Sequence, residues 1–371
     1  MFVQLASRGR ISRAPIVVAI VVLVLLLLPG TALARPHSGG GVYLQTNLVS
    51  NIPGTAPITD PNLVNPWGIS FSPSGPFWIS DNGTGLSTLY DGQGNIQPLV
   101  VTIPPAAGGT TGTPTGTVYN GNSNDFVVSK KHKSGGSIFL FDTEDGTLSG
   151  WNPNVDPTNA IRAVDNSGSG AVYKGLVIAS NQSGTFLYAA NFHAGTVDVF
   201  DKNFAPATLS GSFTDPNLPK GYAPFGIQNI GSDILVTYAK QDKAKHDDVP
   251  GMGHGFVDVF DTNGNFVKRL ISRGQLNSPW GLAMAPANFG IFSNDLLVGN
   301  FGNGRINAYD PNSGAFLGTI MNSKGKAIKI SGLWGLMFGN GGQGGQPNQL
   351  FFTAGLHHEA DGLFGMITLQ A

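Results

Sequence analysis

NPWGISFSPSGPFWISDNGTGLSTLYD, residues 65–91, contains one whole structural unit. It opens on a Gly-led apolar strand, Trp67-Gly68-Ile69. A second strand follows at Phe77-Trp78-Ile79, then a tight loop, Asp81-Asn82-Gly83-Thr84-Gly85, then a β-rich run ending in Asp91. The unit returns behind Gly116, Gly175, Gly226, Gly281 and Gly335, at intervals of 48 to 59 residues. A repeat of that length made of short strands marks a propeller blade. The pattern predicts an all-β fold, a six-bladed β-propeller of four-stranded antiparallel blades over residues 43–371.

Blade two reads as strands at 117–120, 126–129, 138–142 and 148–151, with Glu144-Asp145-Gly146 turning between the last two. Blade three reads as four strands, the outermost at 208–213. Blade six stops one strand short. Residues 43–50 alternate apolar and polar side chains and are expected to supply that strand, which closes the ring and removes an exposed edge. The blade endings Leu89-Tyr90-Asp91, Val199-Phe200-Asp201, Val259-Phe260-Asp261 and Ala308-Tyr309-Asp310 read as hairpin turns, with Asp accepting backbone N–H bonds.

Residues 1–34 read as a secretory signal peptide. Arg8, Arg10 and Arg13 precede an apolar run from Ile16 to Leu28, and Ala32-Leu33-Ala34 offers an A-x-A cleavage site. Residues 35–42 read as a flexible tail. The mature chain is expected to be secreted, extracellular or in the cell envelope, with no membrane span, and to be a monomer. Removing three leader arginines from 21 basic residues leaves 18 against 22 acidic ones, so nothing favours nucleic acid. Cysteine is absent, so the core carries the stability. Fifty-three glycines and 24 prolines suit a fold that turns every few residues.

The openings Pro66-Trp67-Gly68-Ile69, Pro224-Phe225-Gly226-Ile227 and Pro279-Trp280-Gly281-Leu282 resemble those of NHL-type six-bladed propellers. More closely, the chain resembles a bacterial family of secreted and surface-sorted propeller proteins. The matching segments begin at Asn65, Ile79, Thr143 (TEDGTLSGWN), Tyr238 (YAKQD) and Glu359 (EADGLFG). The resemblance implies an exported propeller and no particular activity.

Loops between second and third strands lie on one face of a propeller, here called the upper face. They are expected near 81–86, 129–136, 191–195, 240–255, 300–304 and 355–361. His132, His193, His246, His254, His357 and His358 all fall there. Loops on one face of a rigid scaffold are where function concentrates. Two of them add carboxylates, which makes Asp242, His246, Asp247, Asp248, His254, His357, His358, Glu359 and Asp361 the candidate metal ligands. Imidazole with carboxylate suits Zn²⁺, and carboxylates with loop carbonyls suit Ca²⁺. A solvated loop with salt bridges to Lys243 and Lys245 is the alternative. Trp67, Trp280 and Trp334 share one position with Phe225 and read either as packing between blades or as a ligand-stacking ring. Asp81, Asn82, Asn191 and His193 are further candidate ligand-binding groups, or turn residues.

No G-x-S-x-G elbow is present, nor any thiol. These observations predict a binding protein that uses its upper face for a glycan, peptide or envelope component, with or without an ion. The alternative is a metal-dependent hydrolase of the lactonase or esterase kind, its ion at the channel mouth.

Overall fold

A computed structural model describes residues 1–4 and 41–370. Residues 5–34 of the leader, with its cleavage site, and most of the tail lie outside the described residues. Residues 1–4 form no helix or strand. From Tyr43 onward the chain builds six blade sheets and one separate hairpin, and the inner strands of the blades pack in a ring, each against the next, with blade six returning to blade one.

Blade one consists of Pro66–Phe71, Phe77–Asp81, Leu86–Tyr90 and Ile96–Thr102. Blade four (Tyr222–Ile230, Asp233–Lys240, Phe256–Asp261, Phe266–Ser272) and blade five (Pro279–Met284, Leu296–Asn300, Ile306–Tyr309, Phe316–Thr319) also follow the expected order. Blade six holds Leu333–Phe338, Leu350–Gly355 and Asp361–Leu369. Its fourth strand is Tyr43–Ser50, antiparallel from Tyr43 opposite Leu369 to Ser50 opposite Leu363. The two-residue strand Ile58–Thr59 pairs in parallel outside it, so Tyr43–Ser50 is not, as expected, the outermost strand. Val49, fully buried, ties this closing strand to the apolar layer of Phe77, Phe351 and Phe364.

Two further expectations fail. In blade two, Val127–Lys130 pairs only with Lys133–Gly136, as a separate hairpin inserted between the first and second strands. The blade's strands are Pro114–Tyr119, Phe139–Thr143, Thr147–Trp151 and Ile161–Asp165. His132 therefore leaves the upper face, and Glu144-Asp145-Gly146 moves onto it. Blade three has three strands, Tyr173–Asn181, Gly184–Asn191 and Thr196–Asp201. Residues 208–213 form no strand because their backbone goes elsewhere: Gly211 N–H and Phe213 N–H donate to Asn263 and Gly264 carbonyls in blade four.

The marker glycines have one cause. Strand pairing slips between Pro66 and Ile69, Tyr173 and Leu176, Pro224 and Ile227, Pro279 and Leu282, and Leu333 and Leu336. Each slip is a bulge centred on the residue before the glycine, and a bulge re-aims its side chain. At every marker but Gly175, where a Cβ would make ordinary contact at 3.4 Å, the glycine lies too close to the next blade for a side chain. A Cβ on Gly226 would sit 2.2 Å from the Trp280 carbonyl oxygen, and one on Gly281 2.5 Å from that of Trp334. At Gly335 it would sit 2.8 Å from the Trp67 oxygen, which closes the ring. N–H groups left over by the bulge find side chains: Gly226 donates to Thr237 Oγ1 and Gly335 to Thr353 Oγ1. In blade two the acceptor is the buried Asp142, whose carboxyl burial pushes up to about 7.

Candidate functional site

The residues before the marker glycines are Trp67, Thr115, Lys174, Phe225, Trp280 and Trp334. All but Thr115, which bonds Asp142 and the Tyr173 carbonyl, meet in one cluster at the channel. Trp67 and Trp334 stack with centroids 3.5 Å apart, and Trp280 meets both edge-on at 6.2 and 5.7 Å. Phe225 lies 5.7 Å from Trp334. Contacts between blades four and six, or one and five, can only be made across the axis. The aromatics therefore fill the channel as well as packing between the neighbouring blades five, six and one. Trp67, Phe225 and Trp334 are about 1% exposed, which removes them as a stacking platform for a ligand.

Blade three puts an amine where four other blades put a ring. Lys174 is 2% exposed. Its Nζ lies 5.1 Å from the Trp67 ring and 6.0 Å from that of Phe192. It pairs with Glu144 Oε1 and lies 3.5 Å from Asp247 Oδ1. Trp280 Nε1 donates to the Lys174 carbonyl at 2.7 Å, fixing that backbone from the opposite side. A buried ammonium persists only where opposite charge compensates for lost hydration, and here two carboxylates and two ring faces do so.

From Glu144 a hydrogen-bond chain follows the rim. Asn82 Nδ2 donates to Glu144 Oε2 at 2.7 Å. Asn65 Nδ2 donates to Asn82 Oδ1 at 3.2 Å and to Glu359 Oε2 at 3.0 Å. Trp334 Nε1 in turn donates to Asn65 Oδ1, which links the rim to the plug. Glu359 arrives on a costly backbone. His357, His358 and Glu359 all have positive φ, at 52°, 57° and 68°. Three such residues in a row cost about 1–2 kcal/mol each, and strain of this kind clusters where a side chain must be aimed.

Burial, then the charge of Glu144, pushes the Glu359 carboxyl up to about 6, against the opposing pull of Asn65 and Lys174. The ordinary glutamate value is 4.5. The fold therefore disfavours the charged form, and stability present below pH 4.5 is lost as pH rises through 6. Glu359→Gln keeps the acceptor for Asn65 and removes the charge. It is expected to raise the melting temperature at pH 8 by about 2–4 °C, from roughly 1–2 kcal/mol, with no gain at pH 4.5. Thermal melts at the two pH values check this.

The long blade-four loop reaches over the rim. Asp242 Oδ1 accepts the N–H groups of His246 and Asp247, at 2.9 and 3.3 Å, and so shapes the loop tip. His246 Nδ1 and Asp247 Oδ1 are 2.8 Å apart. This contact raises the imidazole above its usual 6.5 and lowers the carboxyl. Glu144, His246 and Asp247 offer ligand atoms that all lie within 4.8 Å of one another.

Of the expected metal ligands, His246 and Asp247 converge, with Glu359 beside them along the rim. The other candidates are used differently. Asp242 is a turn residue. Asp248 is largely buried, which raises its carboxyl. His254 Nδ1 bonds the Val249 carbonyl within its own loop. His357 pairs with Asp361, which also accepts from Asn51, and His358 is exposed. Among the ligand candidates, Asn82 belongs to the rim. Asp81 is buried inside blade one on Thr88. Asn191 is a turn residue holding Asp198 and the Ala194 N–H, and the half-buried His193 stands in the same turn.

Three site residues escaped the sequence reading. Asn65 opens the repeat and was read as part of its signature. Lys174 stands before Gly175, at the position where four other blades carry a ring, and that place is the signal that could have found it. Glu144 was hidden by the miscounted strands of blade two.

No family model matches the chain. The uncharacterised protein R648 of Acanthamoeba polyphaga mimivirus is 36% identical over 332 residues, 86% of this chain and 78% of that protein. The uncharacterised protein L690 of the same virus is 35% identical over 344 residues, 90% and 87% of the two chains. These relatives are viral, where the motifs pointed to a bacterial family. Among solved structures, a glucose dehydrogenase matches at TM-score 0.53 and 11% identity, over 88% of this chain and 99% of that one. The soluble aldose sugar dehydrogenase of Escherichia coli matches at TM-score 0.52 and 10% identity, over 89% and 100%. At such identity the likeness is one of fold.

Proposed function

We propose, for a chain that belongs to the same family as the mimivirus proteins R648 and L690, that the channel mouth is a binding site dependent on a divalent cation. The observation that carries this is the convergence of Glu144, His246 and Asp247 within 4.8 Å, on a floor of aromatic rings. Carboxylate oxygens and an imidazole nitrogen form a donor set for Zn²⁺ or another first-row ion. Three rim carboxylates face one ammonium, so the site carries an excess of negative charge. The cation already paired with Glu144 is the Lys174 ammonium, and an added ion competes with it for Oε1. The Asp247 and His246 side chains are 69% and 48% exposed, so a ligand can reach the ion from solvent. The signal peptide read at residues 1–34 supports export, which would place that ligand outside the cytoplasm, in a glycan, peptide or envelope component.

Titration of the metal-free protein with Zn²⁺, Mn²⁺ and Ca²⁺ by calorimetry tests the reading. One of them is expected to bind at one ion per chain. Glu144→Gln and His246→Ala should each weaken it at least about tenfold, near 1.4 kcal/mol. Because His246 must be neutral to ligate and its value lies above 6.5, affinity should fall as pH drops through that raised value. A parent protein that takes up none of the three ions sinks the proposal.

Glu359 favours a second reading, hydrolysis of esters or lactones. A largely buried carboxyl that changes charge near pH 6, beside the rim cluster, suits a general base. Turnover on a lactone and ester panel would then rise with pH through about 6 and be lost in Glu359→Gln with ion uptake intact. A parent protein inactive across the panel leaves the binding reading alone.

A further inference from the structure

On the opposite face, where blade six meets blade one, lies an open cleft of about 610 Å³. Its walls are two loops. One is the glycine-rich connection 339–349 between the first two strands of blade six. The other is the hairpin 91–95 at the outer edge of blade one. The glycine run reads in sequence as a flexible loop, but its backbone is tied down across the seam. Asn340 Nδ2 donates to the Ser72 and Gly75 carbonyls, while its Oδ1 accepts from Gly342 and Gly344. Gly92 N–H donates to the Gln343 carbonyl, and Gln343 N–H to that of Ser74. A Cβ on Gly92 would sit 2.4 Å from Gly345 Cα, so glycine is required for this approach.

What this braced frame presents is five carboxamides: Gln93, Gln97, Gln343, Gln346 and Gln349. Leu48 from the closing strand and Met366 add an apolar strip. Asp91 is the one ionisable group in the lining, and its oxygens are taken by Gln93 N–H, Asn95 N–H and Asn95 Nδ2. Among the described residues, the amides of Gln93, Gln343 and Gln346 make no hydrogen bond of their own.

We propose that this cleft is a second binding site, for a neutral polysaccharide. Each carboxamide offers a donor and an acceptor in one plane, which matches the donor–acceptor pairs of neighbouring sugar hydroxyls. A lining with no free charge gives a charged chain nothing to pair with. Loops held in place before binding lose little entropy when the ligand arrives. The volume lies in the range of small-ligand sites, about 300–1,000 Å³. The proposal is independent of the cation site on the other face.

Maltoheptaose, cellohexaose, laminarihexaose and mannohexaose, titrated into the full-length protein by calorimetry, test it. At least one is expected to bind with Kd at or below about 1 mM. The pair Gln343→Ala and Gln346→Ala should weaken it at least tenfold, with melting temperature and ion uptake unchanged. Gln93→Ala, on the other loop, should weaken it as well, and Glu144→Gln should not. No binding of any of the four overturns the proposal. So does binding that survives all three glutamine changes, or binding only of a hyaluronan oligosaccharide or a Gln-rich peptide.

Discussion

Lys174→Ala is expected to lower stability by about 3 kcal/mol, and Lys174→Met together with Glu144→Gln to restore most of it. Removing one member of a buried ion pair leaves the other charge without compensation, at about 3–5 kcal/mol. The lower end applies because the Glu144 side chain is 13% exposed and keeps its bond from Asn82. The single change also strips the ammonium from the Trp67 and Phe192 faces. In the double variant neither member of the buried pair is charged, and an apolar side chain meets the aromatic plug, as Phe225 and Trp334 do from their blades. Replacing a buried pair by well-packed neutral groups is often neutral or better. Urea unfolding of the two variants measures both effects. Recovered stability should come with loss of ion uptake, since Glu144 is then no longer a carboxylate. If Lys174→Ala unfolds like the parent protein, the amine is not part of a coupled buried pair.

Gly226→Ala is expected to cost about 3 kcal/mol, although it adds a single methyl. The new Cβ would sit 2.2 Å from the Trp280 carbonyl oxygen and 2.9 Å from both its carbon and Thr237 Oγ1. Backbone of a neighbouring blade cannot step aside as a flexible side chain can, so the cost falls at the upper end of the overpacking range, about 1–3 kcal/mol. Thr237 Oγ1 also receives the Gly226 N–H, so relaxing the clash threatens that bond. Gly168→Ala is the control, because a Cβ there meets nothing within 4 Å. Thermal melts should separate the two clearly. Equal melting temperatures would mean that the inner strands have room to spread, against the reading of why the glycines recur.

Legibility varied with the range of the interaction involved. Pro66–Phe71 and Phe77–Asp81 occur where Trp67-Gly68-Ile69 and Phe77-Trp78-Ile79 place them, because alternation and flanking turns act over a few residues. The closing strand Tyr43–Ser50 was also found, since a ring one strand short leaves one partner for it. The blade-two hairpin was not. Val127–Lys130 has strand character, and local pattern does not say whether a strand pairs with its blade or only with its neighbour. That single ambiguity concealed Glu144. Residues 208–213 failed for a similar reason, since their hydrogen bonds go to blade four.

The sequence by itself determined the architecture and, outside blade two, the faces of its loops. Period, turn chemistry and glycine spacing are properties of neighbours along the chain, and the ring of blades follows from them. Which loop side chains meet was decided only by the tertiary structure. His246 and Asp247 were legible as candidates, but they sit 102 and 103 residues after Glu144. Bulges at the marker glycines turn Trp67 and Lys174 to the axis, and the unusual backbone of residues 357–359 brings Glu359 to the rim. A side chain's direction depends on bulge geometry and on what its neighbours across the axis leave open, and neither is written in local pattern. For that reason the site became visible only once six distant segments shared one channel mouth.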